Sequence, residues 1–457
     1  MSYAEFLASK AVVAPMRGLT SVPALSSHLF PFQRACVEHL LTVGSGGLFL
    51  DTGLGKTLCQ LEWCEHARNA SNGMALILTP LAVTQQIARE GVKFGYPARV
   101  IRDQSEAREG INVANYDRLH LLDPQAFGVV SLDESSILKS FMGTTTRTLI
   151  DAFAGHRWKL SATATPAPND HLELGTHAEF CSIMLRTEML SRFFINDAAT
   201  ASQEWRLKHH AVVPFWDWMA SWSRMAQLPS DLGDCDDGFV LPPMNITRHR
   251  ADKSASVVTG GLFGDDVMSA TTMHTTKRAT ATARAQMAAS VIGDGPCVVW
   301  VDTDYEADAV MTALKGMPGL LEVRGSMPSE QKERNLLAFA DGSARVIVTK
   351  SSICGFGLNW QHCSNTVFVG RSFSYESWYQ AVRRFWRFGQ TKTVNVHLIV
   401  AEGEDTIARV IDRKADDHAS MKAAMREAMR RNMGIASQTK TAYVPTHTGR
   451  LPAWLAV

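Results

Sequence analysis

The chain has 457 residues, 46% hydrophobic and 20% charged, which suits two or three ordinary globular units and is too long for a single small binding module. With 46 Lys plus Arg against 45 Asp plus Glu, no global field marks a nucleic-acid coat or an acidic solvating protein, so any basic surface is local. Eight cysteines stand singly at Cys36, Cys59, Cys64, Cys181, Cys235, Cys297, Cys354 and Cys363 with no CxxC pair, which argues against a zinc module or a disulfide framework. A cytoplasmic, reducing setting is expected. No apolar run reaches the roughly 18 residues that span a bilayer, and the first residues, Met1 to Glu5, lack the basic and apolar regions of a leader.

Along the chain, short runs rich in Val, Ile and Leu alternate with helical patterns from Gly47 to about Ser161, and again from Cys297 to Val400. That is the rhythm of parallel sheets covered by helices. Strands are expected at Leu48 to Asp51, Ala75 to Thr79, Arg99 to Arg102, Ile111 to Ala114, Val129 to Asp133 and Trp158 to Ser161. The second set is Val298 to Asp302, Leu321 to Arg324, Arg345 to Thr349, Thr366 to Val369 and Val394 to Val400. The reading is α/β: two tandem doubly wound parallel-sheet lobes, with the prime site in the cleft between them, at the carboxyl ends of the strands.

Expected boundaries are an N-terminal segment at 1–24, a first lobe at 25–180, a Trp-rich, mainly helical insert and linker at 181–288, a second lobe at 289–403, and a C-terminal helix and tail at 404–457. In the insert, Trp205, Trp216, Trp218 and Trp222 crowd together, and Phe215, Met219 and Trp222 fall at i, i+4, i+7. A helix burying one apolar face follows from that spacing; a stacking surface for nucleic acid is the alternative. Val257 to Ala285, rich in Thr, Ala and Gly, is expected to be a flexible connection.

Asp51-Thr52-Gly53-Leu54-Gly55-Lys56-Thr57 follows an apolar strand and opens a helix. Gly53 and Gly55 let backbone N–H groups wrap phosphate oxygens, Lys56 supplies a point charge, Thr57 offers a hydroxyl to Mg²⁺, and the helix N-terminus adds partial positive charge. The full GxxxxGK[ST] pattern is not met, because Leu50 stands at its first glycine. Asp133 and Glu134 end another apolar strand. Adjacent acids there face different ways, so Asp133 can hold the Mg²⁺ shell while Glu134 polarises attacking water. Farther on, Arg384 and Arg387 lie three apart on an expected helix and so project from one face, where planar guanidinium groups suit charge developing on a transferring phosphoryl group. From Arg409 to the end there are nine Lys plus Arg against four Asp plus Glu. Ile407, Ile411, His418, Met421, Met425, Met429 and Met433 there recur near helical spacing. A helix packing back on the lobes is the plain reading, and a basic DNA or partner contact the sharper one.

Taken together these residues resemble the superfamily two helicases, and within them the Swi/Snf-like DNA translocases. Asp51 to Thr57 resembles motif I in its DxGxGKT form. Asp133-Glu134-Ser135-Ser136 with Lys139 resembles motif II, with Ser136 where His is common. Leu160 to Pro166 with Asn169 resembles motif III. Pro31-Phe32-Gln33 is similar to the aromatic-Gln adenine signature, and Thr79-Pro80-Leu81 to motif Ia. In the second half, Val323 to Ser326, Gly355 to Asn359 and Gln380 to Gln390 follow the family order, the last fitting QAxxRxxRxGQ at every fixed position. The resemblance covers roughly residues 25–180 and 295–415.

It implies two RecA-like lobes and an ATP-driven motor with ATP and Mg²⁺ between them. Gln33, Gly53, Gly55, Lys56, Thr57 and Asp133 would bind the nucleotide, with Thr57 and Asp133 on the metal. Lys56, Glu134, Gln380, Arg384 and Arg387 would act in catalysis, Arg384 and Arg387 as arginine fingers and Gln380 ordering water. Thr79, Asn115, Arg324, Ser351 and Asn359 would contact the nucleic-acid backbone without reading bases. The implied partner is DNA, tracked without sequence preference. An RNA-dependent ATPase, or an ATP-gated DNA-binding scaffold with little turnover, is the alternative. The compact form resembles helicases of phages and mobile elements, with replication, recombination or defence as settings.

Overall fold

In the computed structural model, residues 13–197, 204–251, 270–354, 360–370, 374–400 and 405–434 are described. Strands such as Met74–Thr79 and Cys297–Val301, with sequences MALILT and CVVWV, carry apolar side chains on both faces. Helices must therefore cover both sides of each sheet.

The first lobe contains α1 (Pro31–Val43), β1 (Ser45–Leu50), α2 (Lys56–Ser71), β2 (Met74–Thr79), α3 (Thr84–Phe94), β3 (Ala98–Val100), β4 (Ile111–Asn115), β5 (Phe127–Asp133), α4 (Thr144–Ala152), β6 (Trp158–Ala162), α5 (Leu174–Phe180) and α6 (Arg186–Phe193). An antiparallel hairpin of β7 (Phe194–Asp197) and β8 (Glu204–Leu207) follows, then α7 (Val212–Trp222) and β9 (Ser223–Ala226). Seven strands form one sheet in the order β3-β4-β2-β5-β6-β1-β9, and every pairing is parallel.

The second lobe contains β10 (Met244–Arg250), α8 (Ala270–Val291), β11 (Cys297–Val301), α9 (Asp304–Ala313), β12 (Leu320–Val323), α10 (Ser329–Ala340), β13 (Val346–Lys350), α11 (Ser351–Cys354), β14 (Asn365–Phe368), α12 (Tyr375–Val382) and β15 (Val394–Val400). Its six strands run β10-β15-β14-β11-β13-β12, again all parallel. The expected strands all form, most with ends shifted by a residue or two. No helix among the described residues is long and apolar enough to cross a membrane.

The stretch 181–288, expected as a mainly helical insert between the lobes, is instead divided between them. β9 extends the first sheet beyond β1, and β10 extends the second beyond β15. Neither shows a strand pattern in sequence. β9 carries the buried Arg224, whose Nη1 donates to Ala220 and Ser223 carbonyls, while β10 is an edge strand with most residues exposed. Residues 270–285, expected as part of a flexible connection, lie in α8, and the rest of that connection falls mostly outside the described residues. α7 forms as the spacing predicts, with Phe215, Trp218, Met219 and Trp222 all within 1% of full burial. These rings are core, which leaves no stacking surface on them.

The chain then crosses back. α13 (Asp405–Asn432) follows β15 of the second lobe, yet Met421, Met425, Ala428 and Met429 are buried in the first lobe's core with Trp218 and Trp222. Fully burying each such methionine contributes roughly 1.5–3 kcal/mol. Polar ties reinforce the seat: Arg224 Nη2 donates to Asn432 Oδ1 at 3.2 Å, and Arg431 pairs with Asp217 at 2.7 Å. The side chains of Ile407 and Ile411, and the tail from 435 onward, lie outside the described residues.

Candidate functional site

β1 ends at Leu50, the backbone turns through Asp51 to Gly55, and α2 begins at Lys56. Gly53 has φ +95° and Gly55 φ +77°, values that side chains beyond glycine adopt at a cost. A Cβ on Gly53 would lie 2.9 Å from the Phe388 backbone N of the second lobe. The lobes therefore touch directly over this loop. Gln33 supports it from the other side: Nε2 donates to Leu54 O at 2.9 Å and Oε1 accepts from Phe30 N at 3.0 Å. The buried Gln33 is a strut of the loop, with one N–H and one lone pair left for a ligand.

The Lys56 ammonium donates to the Leu50 carbonyl at 2.9 Å. Desolvation holds it below its usual pKa, against the pull of Glu134, Asp51 and Asp133. Thr57 is half-buried one residue into the helix. Asp133, at the end of β5, accepts from Thr79 Oγ1 at 2.9 Å, while Tyr116 Oη donates to its carbonyl at 2.7 Å. Burial, then the adjacent Glu134 charge, push the Asp133 carboxyl up to about 7. Glu134 sits in the left-handed region, φ +52°, which turns its side chain away from that of Asp133, and burial raises its pKa as well. Two adjacent carboxyls whose desolvation outweighs the pull of Lys56, beside a Thr hydroxyl, are a donor set that fits a hydrated divalent cation. Among the described residues no three His, Cys, Asp or Glu cluster as an all-protein metal cage, so a cation here would need further oxygens from a ligand.

The second lobe completes the site. Gln380 Nε2 reaches Glu134 Oε2 at 3.5 Å and Thr163 Oγ1 reaches it at 3.4 Å. Arg384 is buried and lowers the Glu134 pKa by its charge. Arg387 Nε is buried with no hydrogen-bond partner among the described residues, and desolvation lowers the Arg387 pKa. Such a donor fits an anion. The two arginines do not share a helix face as expected: α12 ends at Val382, and both follow it in turns. Gln390 ties that segment down, its Nε2 donating to Gln361, Cys363 and Phe385 carbonyls. This accounts for the last Gln of the motif as a structural knot.

The expected backbone-contact residues fare unevenly. Thr79 is fully buried on Asp133, so it positions that carboxylate and offers no surface to a polymer. Asn115 is buried beside it, the two being register partners in β4 and β2. Arg324 is engaged by Asp308 at 2.6 Å and by Glu322, so its charge is already countered. Ser351 opens α11 at the end of β13. Asn359 lies outside the described residues. Four contacts escaped the sequence reading, two across the lobes, from Glu376 and Arg383, and two from α13 onto the first lobe, from Lys414 and Lys422. Lys139 pairs with Glu376 at 2.5 Å, and Lys414 donates to Asn169 Oδ1 at 2.9 Å. Arg383 and Lys422 both reach Asp51, at 2.5 and 3.1 Å.

Residues 284–389 match the helicase conserved C-terminal domain family. Protein p41 of Acyrthosiphon pisum secondary endosymbiont phage 1 is 23% identical over 474 aligned residues, covering 88% of this chain and 98% of p41. Among solved structures, S. cerevisiae Dbp5 bound to RNA and ADP BeF3 superposes with TM-score 0.55 at 11% identity, covering 87% of this chain and 93% of that one. The Sulfolobus solfataricus SWI2/SNF2 ATPase core in complex with dsDNA gives TM-score 0.40 at 15% identity, covering 90% and 96%. The fold is that of a helicase core.

Proposed function

We propose that this superfamily two helicase-like chain hydrolyses ATP between its lobes and uses the cycle to move along DNA. The observation that carries the reading is the meeting of Lys56, Asp133 and Glu134 of one lobe with Gln380, Arg384 and Arg387 of the other. A site assembled from two lobes ties chemistry to their relative motion.

Gly53 to Thr57 would cradle the phosphates, with Thr57 and Asp133 holding Mg²⁺, which would neutralise phosphate charge. Lys56 would leave the Leu50 carbonyl for the phosphates, a stronger, charge-assisted partner. Glu134 would orient and polarise the attacking water, with Gln380 steadying its carboxylate. Arg384 and Arg387 would stabilise the charge of the transferring group from the second lobe. Thr79 and Tyr116 would keep Asp133 in place. Gln33 would offer its remaining amide capacity to adenine. Loss of these arginine contacts after hydrolysis would let the lobes part, and each closure would step one lobe along a nucleic-acid backbone. Ser351 and Asn359 remain candidates for that track, with Asn115 at its buried margin. The fit of Gln380 to Gln390 to QAxxRxxRxGQ favours duplex DNA as the polymer, with no sequence readout.

The test is steady-state ATP hydrolysis without polymer and with single-stranded, duplex or forked DNA or RNA, beside Lys56→Ala and Glu134→Gln. DNA stimulation lost in both variants, at least about 100-fold for Glu134→Gln, is the expected result. Stimulation by RNA alone would replace DNA with RNA, and hydrolysis that is absent or indifferent to polymer would overturn the motor.

A further inference from the structure

Asp51 opens the turn before Lys56, and its carboxylate is held in a buried junction of three segments. Oδ1 accepts from Thr52 N at 2.6 Å, from Tyr379 Oη and from Arg383 Nη2 at 2.5 Å. Oδ2 accepts from Lys422 Nζ at 3.1 Å. Lys422 also donates to Tyr379 Oη at 3.2 Å, and Arg383 Nε to the same oxygen at 3.3 Å. All four residues are buried. One carboxylate thus serves two cations, one on the second lobe and one on α13.

The two cations differ in what carries them. Arg383 and Tyr379 belong to α12 and the turn after it, and leave Asp51 whenever the lobes separate. Lys422 is next to Met421, which with Met425 and Met429 is seated in the first lobe's core, so it stays with Asp51 in either state. A buried carboxylate left without a cation is strongly disfavoured. We infer that Lys422 is a positioning residue that keeps Asp51 paired when the cleft opens, and that Arg383 is its counterpart in the closed cleft. The pair would set the balance between open and closed lobes. This rests on the proposed ATP hydrolysis between lobes.

Opposite effects follow. Lys422→Met keeps the aliphatic stem but leaves Asp51 dependent on Arg383, which favours closure; reopening slows, and the apparent KM for ATP falls. Arg383→Met leaves Asp51 on Lys422 in both states, removes a closing contact and raises KM. A residue that merely supported the fold would not give changes of opposite sign.

The experiment is kcat and KM for ATP, with nucleotide binding and melting temperature, for wild type, Lys56→Ala, Lys422→Met, Arg383→Met, Asp51→Asn and the Asp51→Asn/Lys422→Met pair. Expected are a KM at least about 3-fold lower and a kcat about 10-fold lower for Lys422→Met, with KM about 3-fold or more higher for Arg383→Met. In the Asp51→Asn background, Lys422→Met should change neither constant by more than about 2-fold, because no carboxylate remains to be paired. In the Asp51→Asn background Arg383 lacks its carboxylate with or without Lys422→Met, so the comparison within that background carries the test even if Lys422→Met alone folds poorly. A wild type without ATP turnover would remove the proposed function itself. An active wild type with unchanged Lys422→Met constants, KM shifts of the same sign in both variants, or a further loss in the Asp51→Asn background would overturn this inference alone.

Discussion

Met425→Ala tests whether α13 is part of the first lobe. Met425 is fully buried in the core cluster that also holds Trp218, Trp222 and Met219, and the substitution removes three side-chain atoms from that packing. Large-to-small changes of this kind cost about 2–5 kcal/mol. For a unit of the first lobe's size, each kcal/mol lowers the melting temperature by roughly 2–4 °C, so a fall of about 4–20 °C is expected. Thermal unfolding followed by tryptophan fluorescence reads it, since α7 carries Trp216, Trp218 and Trp222 under this helix. Limited proteolysis should release α13 first. Glu427→Ala is the control: its side chain is 61% exposed and paired at 3.5 Å with Arg431, so a change within about 0.5 kcal/mol is expected. Equal melting and equal protease resistance for Met425→Ala and wild type would show that the helix does not belong to that core.

Two further outcomes follow from the site. Gly53→Ala sets a side chain at φ +95°, 2.9 Å from Phe388 N and 3.0 Å from its Cβ, so ATP turnover should fall about 10-fold or more from strain of roughly 1–2 kcal/mol plus the clash. Adding Phe388→Ala should not restore it, because alanine keeps both atoms; recovery in the double variant would place the obstruction elsewhere. Burial holds His177 at about 4 and His39 and His418 at about 3, so the unfolded chain binds their protons first as pH falls below about 6.5. Stability present above that pH is therefore lost on acidification. His177, which accepts from Ser161 Oγ and donates to Pro166 O in its neutral form, should account for about 3 kcal/mol of that loss by pH 4. Melting temperature against pH should fall less steeply for His177→Gln; identical slopes would show that His177 does not titrate between the folded and unfolded chains.

The sheets were legible because strands buried on both faces must be apolar throughout, as β2, β5, β11 and β13 are. β9 was not, since Ser223 and Arg224 read as polar and become strand residues only under α13. β10 was not, because an exposed edge strand needs no apolar pattern. The glycine turn after β1 and the acid pair ending β5 were legible as local geometry, because two glycines before a helix and two acids after an apolar strand mark where strands end. Three-residue spacing suggested a helix for Arg384 and Arg387, but the chain uses turns held by Gln390. The contacts of Thr79, Arg383 and Lys422 were not legible at all. They depend on partners 54, 332 and 371 residues away in sequence, and a single sequence does not reveal such pairings.

The return of α13 also has a consequence for how the protein is made. The first lobe's sheet is complete in sequence at Ala226, yet the methionines that cover β9 and α7 leave the ribosome only around Met421. At a synthesis rate of about 5–20 residues per second, that interval lasts roughly 10–40 s. During it the nascent chain presents a tryptophan-lined face and a raw sheet edge while the second lobe is still being built. α13 is the last of the described helices to emerge and packs onto the first lobe to emerge, so a ribosome that stops short of it releases a first lobe that is folded but not sealed.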